Sequence, residues 1–161
     1  MDYLWTPWRF AYITTVDTSG DGSACIFCSL LRSGNDEKAL IVHRAEHNFV
    51  VLNAYPYTSG HTMIVPYEHV DRLSKLSDDA AMEMMALTRR LETALYELYC
   101  PEGANIGMNM GKAAGAGIAG HIHMHALPRW VADANFISVI GETRVIPETL
   151  ETTYARLKSK F

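Results

Sequence analysis

The chain has 161 residues, a length typical of one domain with a single hydrophobic core. Apolar residues make up 48% and charged residues 20%, and the net charge of −4 argues against a general nucleic-acid-binding protein, which would carry a basic patch. The amino terminus, MDYLWTPWRF, does not resemble a signal peptide, and no segment approaches the ~20 apolar residues of a membrane span. We therefore expect a cytoplasmic protein with no membrane role and no nucleic-acid partner.

The first part of the chain predicts an arm, a short helix and three strands. Residues 1–24 begin aromatic and end polar and glycine-rich, which is typical of an arm that packs on the body and leads into a loop. The segment CIFCSLLRSG predicts a short helix that Gly34 closes. The β-branched runs ALIVHR and FVVLNA predict a tight hairpin, and GHTMIVP predicts a further strand that Pro66 stops.

The second part predicts one long helix followed by two strands. The segment SDDAAMEMMALTRRLETALYELY has Ser77 as its expected N-cap and apolar residues at helical spacing. ANIGMNM and HIHMHALP then predict strands, and the tail SVIGETRVIPETLETTYARLKSKF predicts a strand, a turn and a short helix. The order of these elements predicts an α+β domain with a mainly antiparallel five-stranded sheet, one long helix and a short helix.

A glycine-rich loop precedes three histidines in GAGIAGHIHMHALPRW, residues 115–130. Its G-x-G-x-x-G pattern has the spacing of a dinucleotide-binding loop, but the residues that follow alternate with period two and predict no helix. The Walker pattern also fails, because Gly111-Lys112 is followed by alanine. Small residues at 111–120 would let the backbone approach a phosphate and direct N–H groups at it, and a flexible connector is the alternative.

The histidines stand at alternate positions, so a strand would place His121, His123 and His125 on one face, with Ile122 and Met124 on the other. Imidazoles stack poorly and repel one another when protonated, so this arrangement indicates function. It fits a metal site, or nucleophilic and acid–base chemistry at a phosphate. The adjacent loop favours the phosphate chemistry for the middle histidine. Since the motif contains no carboxylate, a backbone carbonyl is the expected orienting partner of that ring.

The segment HIHMHALPRW resembles the motif of the histidine triad (HIT) family, in which three histidines alternate with apolar residues. LNAYPYTSGHTMIVPYEH is similar to the upstream strand–loop–Gly-His–strand segment of that family. The flanks LWTPWR and DANFISVIGETRVIPETL resemble the bacterial diadenosine tetraphosphate phosphorylase branch. On this basis we divide the chain into an N-terminal arm at 1–24, a HIT-like nucleotide-binding domain at 25–130, and a C-terminal extension at 131–161 packed on the same domain.

The resemblance assigns roles to individual residues. His123 would be the nucleophile that takes a nucleotidyl group on the α-phosphorus, His125 would bind phosphate oxygens, and His121 would support the site or bind metal. Nucleotide-binding positions would be Asn53 at the ribose, His61 near the active face, Asn109 beside the phosphates, Lys112 at the distal phosphates, and Gly115, Ala116 and Gly117 along the phosphate chain. Many members have a glutamine, serine or threonine where this chain has Ala116-Gly117.

The three cysteines show no disulfide pattern, but Cys25 and Cys28 form a C-x-x-C pair. Such a pair fits half a zinc site, a redox pair or two buried small residues. By similarity to zinc-binding HIT proteins, the ligands would be Cys25, Cys28, His69 and His121. Four protein ligands leave no open position for water, so this zinc would be structural. No organic cofactor is expected.

The function implied by the resemblance is cleavage of an adenine dinucleoside polyphosphate through a nucleotidyl-histidine. Inorganic phosphate as acceptor would give ADP and ATP from diadenosine tetraphosphate. The alternatives are a hydrolase that uses water, a nucleoside phosphoramidase, and, in another class, a nucleotide-binding regulatory module. The resemblance also implies a homodimer, with a tetramer as a further arrangement.

Overall fold

In the computed structural model, which describes residues 25–141, 143 and 145–161, one five-stranded sheet organises the chain. The strand order is β1-β2-β3-β5-β4, and every neighbouring pair is antiparallel. The elements are α1 (Ile26–Arg32), β1 (Ile41–Arg44), β2 (Asn48–Leu52), β3 (Thr62–Pro66), α2 (Asp78–Tyr99), β4 (Gly103–Gly107), β5 (Met124–Arg129), α3 (Phe136–Val139) and α4 (Leu150–Lys158). Short 3-10 turns lie at Leu73–Lys75 and Lys112–Ala114.

Helices cover both faces of the sheet, which is why β2 and β3 are buried along their whole length. On one face, α2 and Leu157 of α4 pack against alternate strand residues. On the other, Phe27 of α1 packs against the remaining alternate residues. Burial on both faces also explains why these strands read as continuous apolar runs in the sequence. The first cluster contains Val42, Val50, Leu52, Ile64, Met84, Leu87, Leu91, Leu95, Ile122 and Ala126, and the second contains Ile41, Phe49, Val51, Met63 and Val65.

The α+β fold, the antiparallel sheet and the long helix predicted from the sequence are confirmed. Ser77 precedes α2 as expected, but its side chain caps nothing. Its hydroxyl donates to Glu68 Oε1 at 2.6 Å instead.

The strand predicted at SVI in the tail is wrong, because one helical turn, α3, occupies that position. The N–H of Ile140 donates to the carbonyl of Phe136 at 2.7 Å, which closes this turn. β5 ends at Arg129, and the five strands of the described sheet do not include this run. The predicted N-terminal arm lies outside the described residues. Within them, no helix is both long and apolar enough to cross a membrane.

Candidate active site

The three histidines of the motif lie at the start of β5 and just before it. The assigned strand begins at Met124, so His121 and His123 occupy the segment that leads into it. The alternation nevertheless holds, since Ile122 and Ala126 belong to the core under α2 while the rings of His121 and His123 contact Phe27 on the other face. The rings of His123 and His125 are adjacent, with centroids 4.8 Å apart.

The hydrogen bond of His123 determines its tautomer. Nδ1 of His123 lies 2.9 Å from the carbonyl oxygen of His121, and a carbonyl only accepts, so Nδ1 carries the proton and Nε2 holds the lone pair. The residue is 4% exposed, and burial lowers the pKa of His123 below its ordinary value. A neutral, oriented imidazole with a free Nε2 lone pair is the form required for nucleophilic attack. The backbone carbonyl expected from the sequence is therefore the orienting partner.

The tautomer of His125 follows from a chain of two further bonds. The backbone N–H of Tyr57 donates to Nδ1 of His61 at 3.2 Å, so the proton of a neutral His61 is on Nε2. That Nε2–H donates to Nδ1 of His125 at 2.8 Å, which leaves the His125 proton on Nε2. Burial, with a smaller contribution from the neighbouring His123, lowers the pKa of His125 to about 4. The neighbouring rings of His123 and His125 therefore offer opposite functions, a lone pair and an N–H donor.

His121 belongs to a second cluster with Cys25, Cys28 and His69, whose four donor atoms all lie within 4.8 Å of one another. Nε2 of His121 donates to the carbonyl of Pro66 at 2.9 Å, so Nδ1 holds the lone pair and faces Cys25 Sγ at 3.4 Å and Cys28 Sγ at 3.8 Å. Two thiolates and two imidazoles form a set that zinc prefers, and separations of about 3.3–3.8 Å are the edges of a zinc tetrahedron with such ligands. The four residues therefore fit a zinc ion. The hydrogen bond from Nε2 of His121 to the Pro66 carbonyl would hold the His121 ring in the orientation that a ligand needs.

Two residues that sequence reasoning missed complete the site. Phe27 lies on α1 between the two cysteines, and its ring centroid is 5.4 Å from that of His121 and 5.1 Å from that of His123. The ring of Tyr57 lies 4.7 Å from that of His61 and 6.4 Å from that of His125. The available signals were the position of Phe27 inside C-x-x-C and the location of Tyr57 in the loop that precedes Gly-His.

The remaining predicted nucleotide-binding residues occupy two loops. The amide nitrogen of Asn53 lies 3.3 Å from Nδ1 of His61, which places Asn53 at the edge of the histidine cluster. The others lie between β4 and the triad, where Asn109 and Gly117 are half-buried and Lys112 is exposed. The N–H groups of Ala114, Gly115 and Ala116 donate to carbonyls of their own loop. These three N–H groups already have acceptors, so a phosphate would have to use contacts other than these N–H groups. The binding role of this loop stays a prediction.

Comparison with known proteins identifies the class of this site. The HIT domain family model matches residues 35–131, and the chain therefore belongs to the HIT family. It is 38% identical to a Mycobacterium tuberculosis protein named AP-4-A phosphorylase over 98% of this chain and 83% of that protein.

Solved structures agree with this assignment. A zinc-bound histidine triad family protein from Mycobacterium smegmatis is 27% identical, with a TM-score of 0.69 over 86% of this chain and 94% of that one. The diadenosine triphosphate hydrolase of Plasmodium falciparum shares the fold at a TM-score of 0.60 and 15% identity, over 75% of this chain and 73% of that one.

Proposed function

We propose that this protein cleaves dinucleoside polyphosphates by transferring a nucleotidyl group to His123 and then to inorganic phosphate. With diadenosine tetraphosphate, the products would be ADP and ATP. The observation that carries the proposal is the buried, neutral His123, whose Nδ1–H is held by the His121 carbonyl so that Nε2 is free to attack. The name of the M. tuberculosis relative supports phosphate as the acceptor.

The two half-reactions balance without a redox step. In the first, Nε2 of His123 forms a bond to the α-phosphorus, the bond from that phosphorus to the bridging oxygen breaks, and ATP leaves. In the second, a phosphate oxygen attacks the same phosphorus, the P–N bond breaks, and ADP leaves. The His125 Nε2–H would donate to the phosphate oxygens in both steps, where charge builds up.

The supporting residues would bind and orient the nucleotide. Asn53 would hold the ribose beside His61, which fixes the tautomer of His125. Asn109, Lys112 and the loop from Gly115 through Ala116 to Gly117 would line the phosphate chain.

A zinc ion held by Cys25, Cys28, His69 and His121 would be structural, since all four positions of its tetrahedron would be filled by protein. What the metal supplies when bound is rigidity around His121. We propose that the protein acts as a homodimer, as the family resemblance implies.

The experiment that tests the proposal is product analysis by ion-exchange chromatography after incubation with diadenosine tetraphosphate, with and without phosphate. ADP plus ATP formed only with phosphate is the expected result. Two ADP, or AMP plus ATP, formed regardless of phosphate would make the protein a hydrolase, and no cleavage at all would overturn the proposal.

The nucleophile is tested by His123→Ala, which should lose at least about 10³-fold in kcat, because the covalent route is closed. Nucleotide binding should persist in this variant, as measured by isothermal titration calorimetry. An active His123→Ala protein would contradict the assignment of the nucleophile.

A further inference from the structure

Cys25 and Cys28 lie on one helical turn and are close enough to bond to each other. Cys25 is the N-cap of α1, and its carbonyl accepts a hydrogen bond from the N–H of Ser29 at 2.9 Å, so both cysteines belong to the first turn. Residues three apart on a helix have Cα atoms about 5 Å apart, within the roughly 4.4–6.8 Å that a disulfide requires. The donor atoms of the metal-ligand cluster, the two sulfur atoms among them, all lie within 4.8 Å of one another. Rotation of the two side chains can therefore bring the sulfur atoms to bonding distance while the backbone stays in place.

The two sulfur atoms differ in their access to solvent. Cys28 Sγ lies 3.4 Å from Nδ1 of His69 at an exposed position, whereas Cys25 Sγ lies 3.4 Å from Nδ1 of His121 at a partly buried one. Cys28 is therefore the outer member of the pair and Cys25 the inner one. The third cysteine, Cys100, ends α2, which packs on the opposite face of the sheet from α1.

A metal at the cluster keeps the pair in the form that oxidants attack. Cysteine binds a metal as the thiolate, and the thiolate rather than the thiol reacts with a peroxide. The sulfenic acid that forms first condenses with a neighbouring cysteine to a disulfide. A second cysteine three residues away therefore makes disulfide formation the expected outcome at this pair.

We infer that Cys25 and Cys28 form a site of reversible oxidation, at which hydrogen peroxide joins their sulfur atoms in a disulfide and the metal is lost. The Cys28 thiolate attacks one peroxide oxygen, the O–O bond breaks, and the released hydroxide takes a proton from solvent to leave as water. The Cys25 thiolate then attacks the sulfur of Cys28, the S–S bond forms, the S–O bond breaks, and a second hydroxide leaves as water in the same way. Two electrons pass from the sulfur pair to the peroxide. His69 and His121 then remain as ligands, and two imidazoles hold zinc far less well than four ligands do.

His121 connects this site to the proposed nucleophile. Its Nδ1 faces both sulfur atoms, and its backbone carbonyl accepts the hydrogen bond that orients His123. Phe27, between the two cysteines in sequence, packs on the rings of both histidines. Oxidation would therefore loosen His123 and lower activity. This last consequence rests on the proposed function, whereas disulfide formation and metal release do not.

The test treats zinc-loaded protein, freed of reductant, with a moderate excess of hydrogen peroxide. Thiols counted in denaturant should fall from the three that the chain contains to one, and a zinc-sensitive dye should record release of the metal in step with them. Peptide mass spectrometry should find the disulfide between Cys25 and Cys28. Cleavage of diadenosine tetraphosphate should fall at least about tenfold, as is typical when the hydrogen bonds that orient a site are disturbed. A phosphine reductant followed by zinc should restore all of these readouts.

Cys100→Ser is the matched control, because it removes only the cysteine outside the cluster. It should form the same disulfide and release zinc like the unsubstituted protein. Cys25→Ser and Cys28→Ser each lack one sulfur of the pair, so neither should form an internal disulfide, and circular dichroism checks the folding of every variant. A disulfide that includes Cys100, oxidation to sulfinic acid, thiols that resist peroxide, or failure to take up zinc would each overturn the inference.

The outcomes separate this inference from the proposed function. If the reduced, zinc-loaded protein does not cleave diadenosine tetraphosphate, the proposed function fails, while the thiol and zinc measurements still decide the inference. If the oxidised protein carries the disulfide but cleaves as fast as the reduced protein, the connection to His123 is overturned and the proposed function stands. Reduced protein stripped of metal should lose as much activity as the oxidised protein, which distinguishes metal loss from oxidation of other side chains.

Discussion

At the scale of single residues, the site is a set of tautomers fixed by backbone groups. The carbonyls of His121 and Pro66 and the N–H of Tyr57 determine which nitrogen of His123, His121 and His61 carries the proton. Backbone groups do not titrate in the working range of pH, so these assignments persist wherever the imidazoles stay neutral. In the proposed function, His123 would be the nucleophile, His125 the hydrogen-bond donor and His121 a metal ligand.

The low pKa of His125 predicts the pH dependence of the first half-reaction. Burial, followed by the effect of His123, lowers this pKa to about 4, so His125 should stay neutral down to about pH 5. Burial also lowers the pKa of His123, the proposed nucleophile, so any acid limb in the rate of nucleotidyl transfer should lie below pH 6.5, the ordinary value for a histidine. The rate is measured by mass spectrometry of the covalent protein in single turnover without phosphate, since phosphate itself titrates near pH 7. An acid limb centred near 6.5 would contradict the assignment.

The same shift has a consequence for stability. The folded-state pKa of His125 is below its unfolded value of about 6.5, so below that pH the unfolded chain binds a proton that the folded chain does not. This proton binding favours the unfolded chain, so the free energy of unfolding decreases as the pH falls from about 6.5 toward 4. Circular dichroism at each pH is therefore the control for the kinetic measurement.

At the scale of elements, a carboxylate on α2 holds the turn between β1 and β2. Glu83 accepts hydrogen bonds from the backbone N–H groups of Glu46 and His47, both at 2.9 Å, and from the Asn48 amide at 2.8 Å. Burial acts to raise the pKa of Glu83, but the bonds from Asn48, His47 and Glu46 outweigh it and lower the pKa. The hairpin is thus fixed to the helix by charge-assisted bonds.

We expect Glu83→Gln to reduce the free energy of unfolding by about 1–2 kcal/mol at pH 7, because a neutral amide accepts these bonds less well. The ionised form is favoured in the fold, so the difference between the two proteins should shrink as the pH falls below about 4.5, the unfolded value. Urea denaturation at pH 7 and pH 4 measures this. The exposed Glu92→Gln on the same helix should leave stability unchanged at both pH values, and equal effects of the two substitutions would contradict the role of Glu83.

Gly60 is required by the close approach of α2 to the loop before β3. Its φ of +80° is in the left-handed region, and an added Cβ would lie 3.0 Å from the Tyr99 ring, 3.2 Å from Leu95 and 3.2 Å from Pro128. Gly60→Ala should therefore lower stability by about 2–4 kcal/mol, through backbone strain and overpacking.

The matched control is Gly34→Ala, where φ is +68° but nothing lies within 4 Å of the added Cβ. This variant should lose only the backbone contribution, about 1–2 kcal/mol. Chemical denaturation distinguishes the two. A loss at Gly60 no larger than that at Gly34 would show that the loop moves away from Tyr99 without cost.

At the scale of the whole molecule, the metal-ligand cluster joins three distant parts of the chain over the second face of the sheet. Cys25 and Cys28 come from the start of the described chain, His69 follows β3, and His121 precedes β5. Phe27, between the two cysteines, packs on the rings of His121 and His123. A metal at this cluster would therefore stabilise the face that carries the nucleophile.

Removal of the metal should destabilise the protein. We expect about one zinc per chain by atomic absorption, and a fall in Tm of at least ~5 °C after chelation that added zinc reverses. Cys28→Ser should lose the metal and show the lower Tm without chelator. Cys100→Ser, which replaces an exposed cysteine outside the cluster, should behave like the unsubstituted protein. Equal behaviour of the two cysteine variants would contradict the metal site.

The local pattern of the sequence was sufficient for the elements that its spacing specifies. The long helix followed from apolar spacing, β2 and β3 from apolar runs that contain β-branched residues, and the shared face of the triad from alternation, because these depend on the geometry of one segment. The tail run SVI was predicted wrongly for the same reason. Alone it favours a strand, but a strand needs a partner, and this run pairs with none of the strands of the described sheet and forms a helical turn.

The sequence by itself was sufficient to predict the α+β fold and membership of the HIT family. Through the family resemblance it also predicted the metal ligands that the structure places together, Cys25, Cys28, His69 and His121. Only the tertiary structure decided which nitrogen of each histidine is free, that Arg129 is held by Asp133, and that Ser59 and Tyr99 meet in one cleft. The physical reason is distance along the chain. The packing of separate elements brings together residues that are far apart in the sequence, such as His121 and Pro66, or Ser59 and Tyr99. A local sequence pattern cannot predict these contacts.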